Sequence, residues 1–298
     1  MWYQARHYMN TMQGTTMKKA SAPLAIALAS LTAMAGLARA ESPPVMVEPQ
    51  VRLSEHSAVY DLELTSASQR SGIVSASGRI AVEISGGGCS GWANETRMVI
   101  SYMLRKRGEQ LVDSRNTSHE AHDGSSYRFI GSDYLNGART SHEELKGERK
   151  GAGGPVILTF TKPRKMTREL PAETLFPAQA TKKVIAAAIR GEKSLSMLVY
   201  EGFKDGRPRR VSVIIGQRLG EGHGAPAELK GLRAWPLSMA YYKVSEISRR
   251  GFGLPEYEIS MRMYENGVIT APVLTYDDHT LRGRLSKLRM GRREETCK

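Results

Sequence analysis

Apolar residues recur at every second position through most of the chain beyond its first sixty residues. Tyr60, Leu62 and Leu64 alternate with Asp61 and Glu63, and Ile80, Val82 and Ile84 with Ala81 and Glu83. The pattern returns at Met98, Ile100, Tyr102 and Leu104, and again at Val156, Leu158 and Phe160. A second series holds Leu195 to Tyr200, Val211, Val213 and Ile215, Leu237 to Ile247, then Tyr257, Ile259, Met261 and Met263, and ends at Leu281 to Leu288. A period of two marks strands with one buried face. Asp123-Gly124, Asn136-Gly137, Asp205-Gly206 and Asn266-Gly267 sit between such runs and suit tight hairpin turns. So many short strands with close turns argue for a mainly β, antiparallel architecture over a parallel α/β one. Lys146 to Gly154 is polar and glycine-rich and reads as a loop.

One segment has another period. Val184, Ile185, Ala188 and Ile189 share a helical face, and Gly191 stands where a left-handed cap is wanted. Thr181 could serve as N-cap, but Lys182 and Lys183 would then face the positive helix end; a start at Pro177 avoids this. The spacing therefore predicts a central helix over 177–190, a plug or cover for a β-layer that carries no acid, histidine or cysteine.

The ends of the chain change the picture. Met17-Lys18-Lys19, an apolar run from Leu24 to Leu37 and Ala38-Arg39-Ala40 read as a cleavable secretory leader, too short to span a membrane. The start is either Met1 or Met17, and cleavage after Ala40 leaves 258 residues. Glu41 to Arg52 is proline-rich and reads as a tether, with one domain from residue 53 to 298. The net charge of +13 falls to +9 once the leader's four basic residues are removed. Export excludes nucleic acid as a partner and leaves anionic lipid, lipopolysaccharide, cell-wall polymers or an acidic protein. Cys89 and Cys297 are the two cysteines, and in an exported chain such a pair reads most simply as a disulfide. Two free thiols acting as ligands or nucleophiles would be the alternative, for which no CxxC or similar motif speaks.

Several local patterns carry candidate chemistry. Ser90 lies among glycines, but a nucleophile elbow needs glycine where Trp92 stands. His119 and His122 point to opposite faces if in a strand and lack a third metal ligand. Asp277-Asp278-His279 has the order of a carboxylate-oriented base. Arg282, Arg284, Lys287, Arg289, Arg292 and Arg293 interleave with Leu281, Leu285 and Leu288, the pattern of a basic edge strand that either blocks aggregation or meets anionic heads. The inward set Leu62, Ile80, Val82, Ile100, Val213, Ile259 and Met261 reads as core before it reads as a lipid slot.

Six stretches and a cysteine together resemble the alphaproteobacterial cell-envelope integrity proteins of the EipB type, across essentially the whole exported chain. The stretches are HSAVYDLEL (56–64), the Cys-x-Gly-Trp at Cys89, LPAETLFPAQ (170–179), YEGFKDG (200–206), WPLSMAYY (235–242) and LPEYEISMRMYENG (254–267), with Cys297 beside the C-terminus. Ser57, Ala58 and Glu173 depart from that pattern. The resemblance implies a β-spiral, an open or broken β-barrel closed by a Cys89–Cys297 disulfide, in the periplasm. It implies a non-enzymatic role in envelope integrity under stress, no cofactor, and a periplasmic tetratricopeptide-repeat protein as partner. Its likeness to lipoprotein carriers implies the alternative, a carrier of lipid or another hydrophobic envelope component in the barrel cavity.

Overall fold

The computed structural model describes residues 49–220, 224–244 and 253–293. The leader, most of the tether, His223, the end of the predicted 237–247 strand and Cys297 lie outside the described residues. Eight strands precede a two-residue ninth: β1 (Ser54–Ala67), β2 (Ile73–Gly86), β3 (Trp92–Leu104), β4 (Gly108–Glu120), β5 (Ser126–Leu135), β6 (Ala138–Arg149), β7 (Val156–Lys162), β8 (Met166–Leu170) and β9 (Thr174–Leu175). Helix α1 (Pro177–Arg190) follows, then β10 (Ser194–Val199), β11 (Arg209–Ile215), β12 (Ala234–Lys243), β13 (Tyr257–Tyr264), β14 (Ile269–Thr275) and β15 (His279–Arg293).

All fifteen strands form one sheet. Its order runs from β8 back to β1, then from β15 back to β9, so the last strand returns to pair with the first. Neighbours are antiparallel except β9 and β10, which run parallel with α1 as the crossover between them. The sheet edges, β8 and β9, are joined by just the three residues 171–173, so the sheet has to curl until its edges meet. Twist favours that curl, and three register shifts along the β1–β15 pair tighten it. The result is the predicted antiparallel β-spiral, a broken barrel with a single seam.

Alternation sets the inside. Ser54, His56, Ala58, Tyr60 and Leu62 of β1 point inward, as do Met98, Ile100 and Tyr102 of β3. Past Val112 the inner positions of β4 are instead Ser114, Asn116, Ser118 and Glu120, so this strand carries no apolar period and the hydrophobic pattern passes over it. The predicted loop at 146–154 is shortened to a turn over 150–154: β6 continues to Arg149, paired with β7, and an added Cβ at Gly147 would lie 3.1 Å from Leu158 and 3.3 Å from the Phe176 ring. Glycine is there for close packing inside a strand.

The seam is held by side chains, not by a ladder. The Tyr127 ring of β5 stacks on Phe176 at 4.7 Å and meets Tyr200 edge-on at 6.3 Å; Tyr200 in turn meets Phe203. The Arg149 guanidinium donates to the carbonyls of Ala172 and Thr174 at 2.6 and 2.7 Å, which pins the link between the edges. Lys204 bonds fully buried Asp133 of β5 at 2.6 Å. Next to this cluster, the buried Arg209 at the start of β11 pairs with Glu256 and lies over the Phe203 ring. Stacked aromatic contacts of this kind add about 1 kcal/mol each beyond the area they bury.

Gly202 turns the chain over the seam with φ +88°, and a Cβ there would lie 2.5 Å from the Phe129 ring. Gly72 has a similar φ of +69° but open space around it. Gly202→Ala is therefore expected to cost about 2–4 kcal/mol of stability, from backbone strain plus overpacking, against about 1 kcal/mol for Gly72→Ala. Urea unfolding of the two variants checks this, and equal costs would refute the packed seam.

Candidate ligand cavity

Helix α1 lies within the curl of the sheet, and its middle turn, Val184 to Ala188, is buried on every side. A helix buried all round has no solvent face to keep polar, which fits its run of alanines. Its bounds match the sequence expectation: Pro177 stands at the first position, and Gly191, with φ +80°, closes the end with N–H bonds to Ala187 and Ala188. Its N-terminus is unusual. Phe176 stands at the cap position and offers no side-chain acceptor. The carboxylate of Glu120, from the end of β4, accepts the N–H groups of Ala178 at 2.7 Å and Gln179 at 3.0 Å in its place. Glu120 is 3% exposed, and desolvation pushes its pKa up to about 7 against the opposing pull of those two bonds and of Lys182.

Between α1 and the sheet lies a cavity of about 170 Å³. One wall is polar, with His56 from β1, Asn94 from β3, and Asn116 and Ser118 from β4. The wall from the second half is apolar and rich in methionine: Met197 and Val199 from β10, Met239 from β12, Met261 and Met263 from β13. A second cavity of about 120 Å³ shares His56, Asn94, Ser118, Pro177 and Thr181 with the first and extends it toward Trp92 and Glu120. The first volume is close to that of an engineered apolar cavity that takes benzene, and lies below the usual range for drug-sized ligands. Thr181 donates to the Pro177 carbonyl at 2.9 Å and so presents mainly its methyl group. The His56 Nδ1–H donates to the Ser54 carbonyl at 2.9 Å, which fixes the tautomer and leaves Nε2 as an acceptor.

The sequence candidates for chemistry fall elsewhere. Ser90 donates its hydroxyl to the Gly87 carbonyl at 2.8 Å, and His119 Nε2 meets the Ser90 carbonyl oxygen at 3.0 Å, not the hydroxyl. The pair holds the turn that carries Cys89. His122 lies past the end of β4. Among the described residues no group of three His, Cys, Asp or Glu side chains could hold a metal ion. Asp278, His279 and Tyr102 do form a chain, with bonds of 2.7 and 3.3 Å, and Tyr276 stacks on the imidazole at 4.7 Å. His279 is 3% exposed and lines neither cavity; the chain closes the barrel end opposite Trp92. The basic run is corrected in part: β15 is a strand, but it lies between β1 and β14 and is not an edge of the sheet. It pairs with β1 along its length but with β14 only over residues 280–282, so its later part is laddered on the β1 side alone. Arg282, Arg284, Lys287 and Arg289 point outward, Arg284 facing Asp61 at 3.6 Å, because the chain spends its last strand on closing against its first.

A family model described as EipB-like matches residues 47–291. The chain belongs to the EipB-like family. It is 27% identical over 242 residues to the cell envelope integrity protein EipB of Brucella abortus (strain 2308), covering 80% of this chain and 84% of that protein. A solved structure from Brucella abortus, titled a β-barrel-like protein of domain of unknown function DUF1849, superposes with a TM-score of 0.74 at 24% identity, over 81% of this chain and 100% of that one. That likeness shows the fold. Two of the stretches that carried the resemblance, 170–179 and 200–206, build the seam, and two more, 235–242 and 254–267, supply much of the methionine wall. His56 and Glu120, by contrast, were not singled out from the sequence. The available signal for Glu120 was an acid closing a run of alternate polar residues.

Glu120 makes the fold sensitive to pH in a defined sense. Its pKa of about 7 in the folded chain exceeds the 4.5 of an ordinary carboxyl, so the folded state holds the proton longer than the unfolded one. Its favourable contribution is complete below about pH 4.5 and is lost as pH rises through about 7, a change of about 3 kcal/mol. Stability of the wild type relative to Glu120→Gln should fall by that amount between pH 4.5 and 8, measured by denaturant unfolding. A difference independent of pH would contradict the assignment.

Proposed function

We propose that this chain is a non-catalytic, exported protein that helps keep the cell envelope intact, and that it does so by holding an apolar or amphipathic envelope molecule inside its barrel. The observation that carries this reading is the two-walled cavity between α1 and the sheet, lined by four methionines whose flexible side chains suit a ligand of variable shape. The Brucella abortus relative, named for cell envelope integrity, supports the physiological side, and the leader-like N-terminus supports a periplasmic site of action. A periplasmic protein partner, such as a tetratricopeptide-repeat protein, is the second reading. It is favoured by Val244 and Leu254, 39% and 89% exposed on either side of the β12–β13 connection.

The Cys89–Cys297 disulfide belongs to the same proposal. Cys89 sits in the turn between β2 and β3, at the end of the barrel where β15 finishes beside Ser54. From β15 to β2 is two strand spacings, about 10 Å. The four residues from Arg293 to Cys297 reach about 13 Å when extended, enough to bring the sulfurs together. Such a bridge would lock the closing strand to the first hairpin.

Mass spectrometry of protein exported to the periplasm checks both claims. The denatured, unreduced chain should weigh two hydrogens less than the reduced one, and the native spectrum should show a co-purifying lipid-class adduct. Equal masses would remove the disulfide; consistently empty protein would shift the weight to the protein-partner reading.

A further inference from the structure

The chemistry of the cavity walls runs against the charge of the molecule. The chain carries a net charge of +13, yet among the described residues no Lys or Arg lines either cavity. Arg282, Arg284, Lys287 and Arg289 of β15 project from the outer face. The charged groups that do line it are Glu120 and Glu201, and both are engaged: Glu120 by the two helix N–H groups, Glu201 by the Tyr241 hydroxyl at 3.5 Å. A carboxylate or phosphate head drawn into this space would lose its water and meet no cation, a penalty that burial makes severe.

The polar wall offers something else. With Nδ1–H committed to Ser54, the Nε2 lone pair of His56 has no protein partner among the described residues, and His56 lines both cavities. Burial holds this imidazole below its ordinary pKa, so it stays an uncharged acceptor at neutral pH. The side-chain oxygen of Asn116, three strands along the same wall on β4, is buried and also makes no bond. Unpaired buried acceptors favour a guest that brings hydrogen-bond donors. Across from them the methionine wall offers mostly apolar contact, its Glu201 carboxylate and Tyr241 hydroxyl being bonded to each other.

We propose that the cavity takes an uncharged amphiphile whose head donates hydrogen bonds, an alcohol or glycerol ester and not a fatty acid or other anionic lipid, with a head hydroxyl on His56 Nε2 and the chain along Met197, Met239, Met261 and Met263. This rests on the reading of the barrel as a holder of an apolar envelope molecule. The cavity as it stands accepts the head and a short length of chain. A longer chain enters as the methionines and the small side chains of α1 give way.

The test is a titration of the exported chain labelled with carbon-13 at its methionine methyls, so that the four wall residues report binding directly. The probes are benzene, as a guest with no head, then monooctanoylglycerol, octanoate and octyl phosphate, at pH 7.5. Benzene and the glycerol ester are expected to shift the four methyl signals, with the ester binding at least tenfold tighter than either anion. His56→Leu should abolish that preference and leave benzene binding unchanged. Benzene binding with the anions as tight as the ester would overturn the proposal and leave the holder reading standing, as would a preference that survives in His56→Leu. Failure of all four probes to move the wall signals would overturn both. If His56→Leu does not fold, the order of affinities in the unsubstituted chain decides alone.

Discussion

The fold depends on how the two edges of its sheet are brought together without a hydrogen-bonded ladder. Three residues separate β8 from β9, so the edges cannot move apart, but β9 is two residues long and α1 begins at once with a proline that has no N–H to give. A backbone closure is therefore out of reach, and side chains do the joining. The stacked Tyr127, Phe176 and Tyr200, the Arg149 guanidinium on two carbonyls of the link, and the Lys204 bond to Asp133 all cross this line. On the other side of the barrel the closure is conventional, with β15 laddered to β1 along most of its length. The asymmetry explains why the helix lies inside: with one side bonded and the other bridged by bulky rings, the interior is wider than strand side chains alone can fill, and α1 fills most of what remains.

What the sequence revealed follows from whether the cause of each feature is local. The helix was legible to the residue because its limits, Pro177 and Gly191, act through their own backbones. The antiparallel order was legible because hairpin turns such as Asn136-Gly137, both at positive φ, announce themselves. Strand β4 was hidden because its inward positions are polar, and they are polar because they face a cavity and a helix end and not the core. Asn116 and Ser118, half of the polar wall, lie on the missed strand. β15 was read as a strand but assigned to an edge of the sheet, since its long ladder with β1 depends on where the first strand lies, which no property of residues 279–293 records. The Glu120 cap was out of reach for the same reason: its partners stand 58 and 59 positions along the chain.

Burying a carboxylate to cap a helix costs more than a serine or threonine at Phe176 would, and the difference is instructive. A local cap would satisfy the helix N–H groups and leave α1 free to settle anywhere the interior allowed. The Glu120 bonds instead fix the start of α1 relative to β4, just as the stacking of Phe176 on Tyr127 fixes it relative to β5. Two anchors on the first half of the barrel and a crossover into the second set the distance between α1 and the methionine wall, and that distance is the cavity. The same reasoning limits what composition can say about a ligand. The excess of arginine and lysine resides on outward positions of strands such as β15, where it governs solubility and encounters at the surface, while strand alternation sorts the inward positions independently. A basic chain therefore has no obligation to possess a basic cavity, and the selectivity of this one has to be read from its two walls: acceptors on one side, thioethers around a paired Glu201 and Tyr241 on the other, and no cation among the described residues that line them.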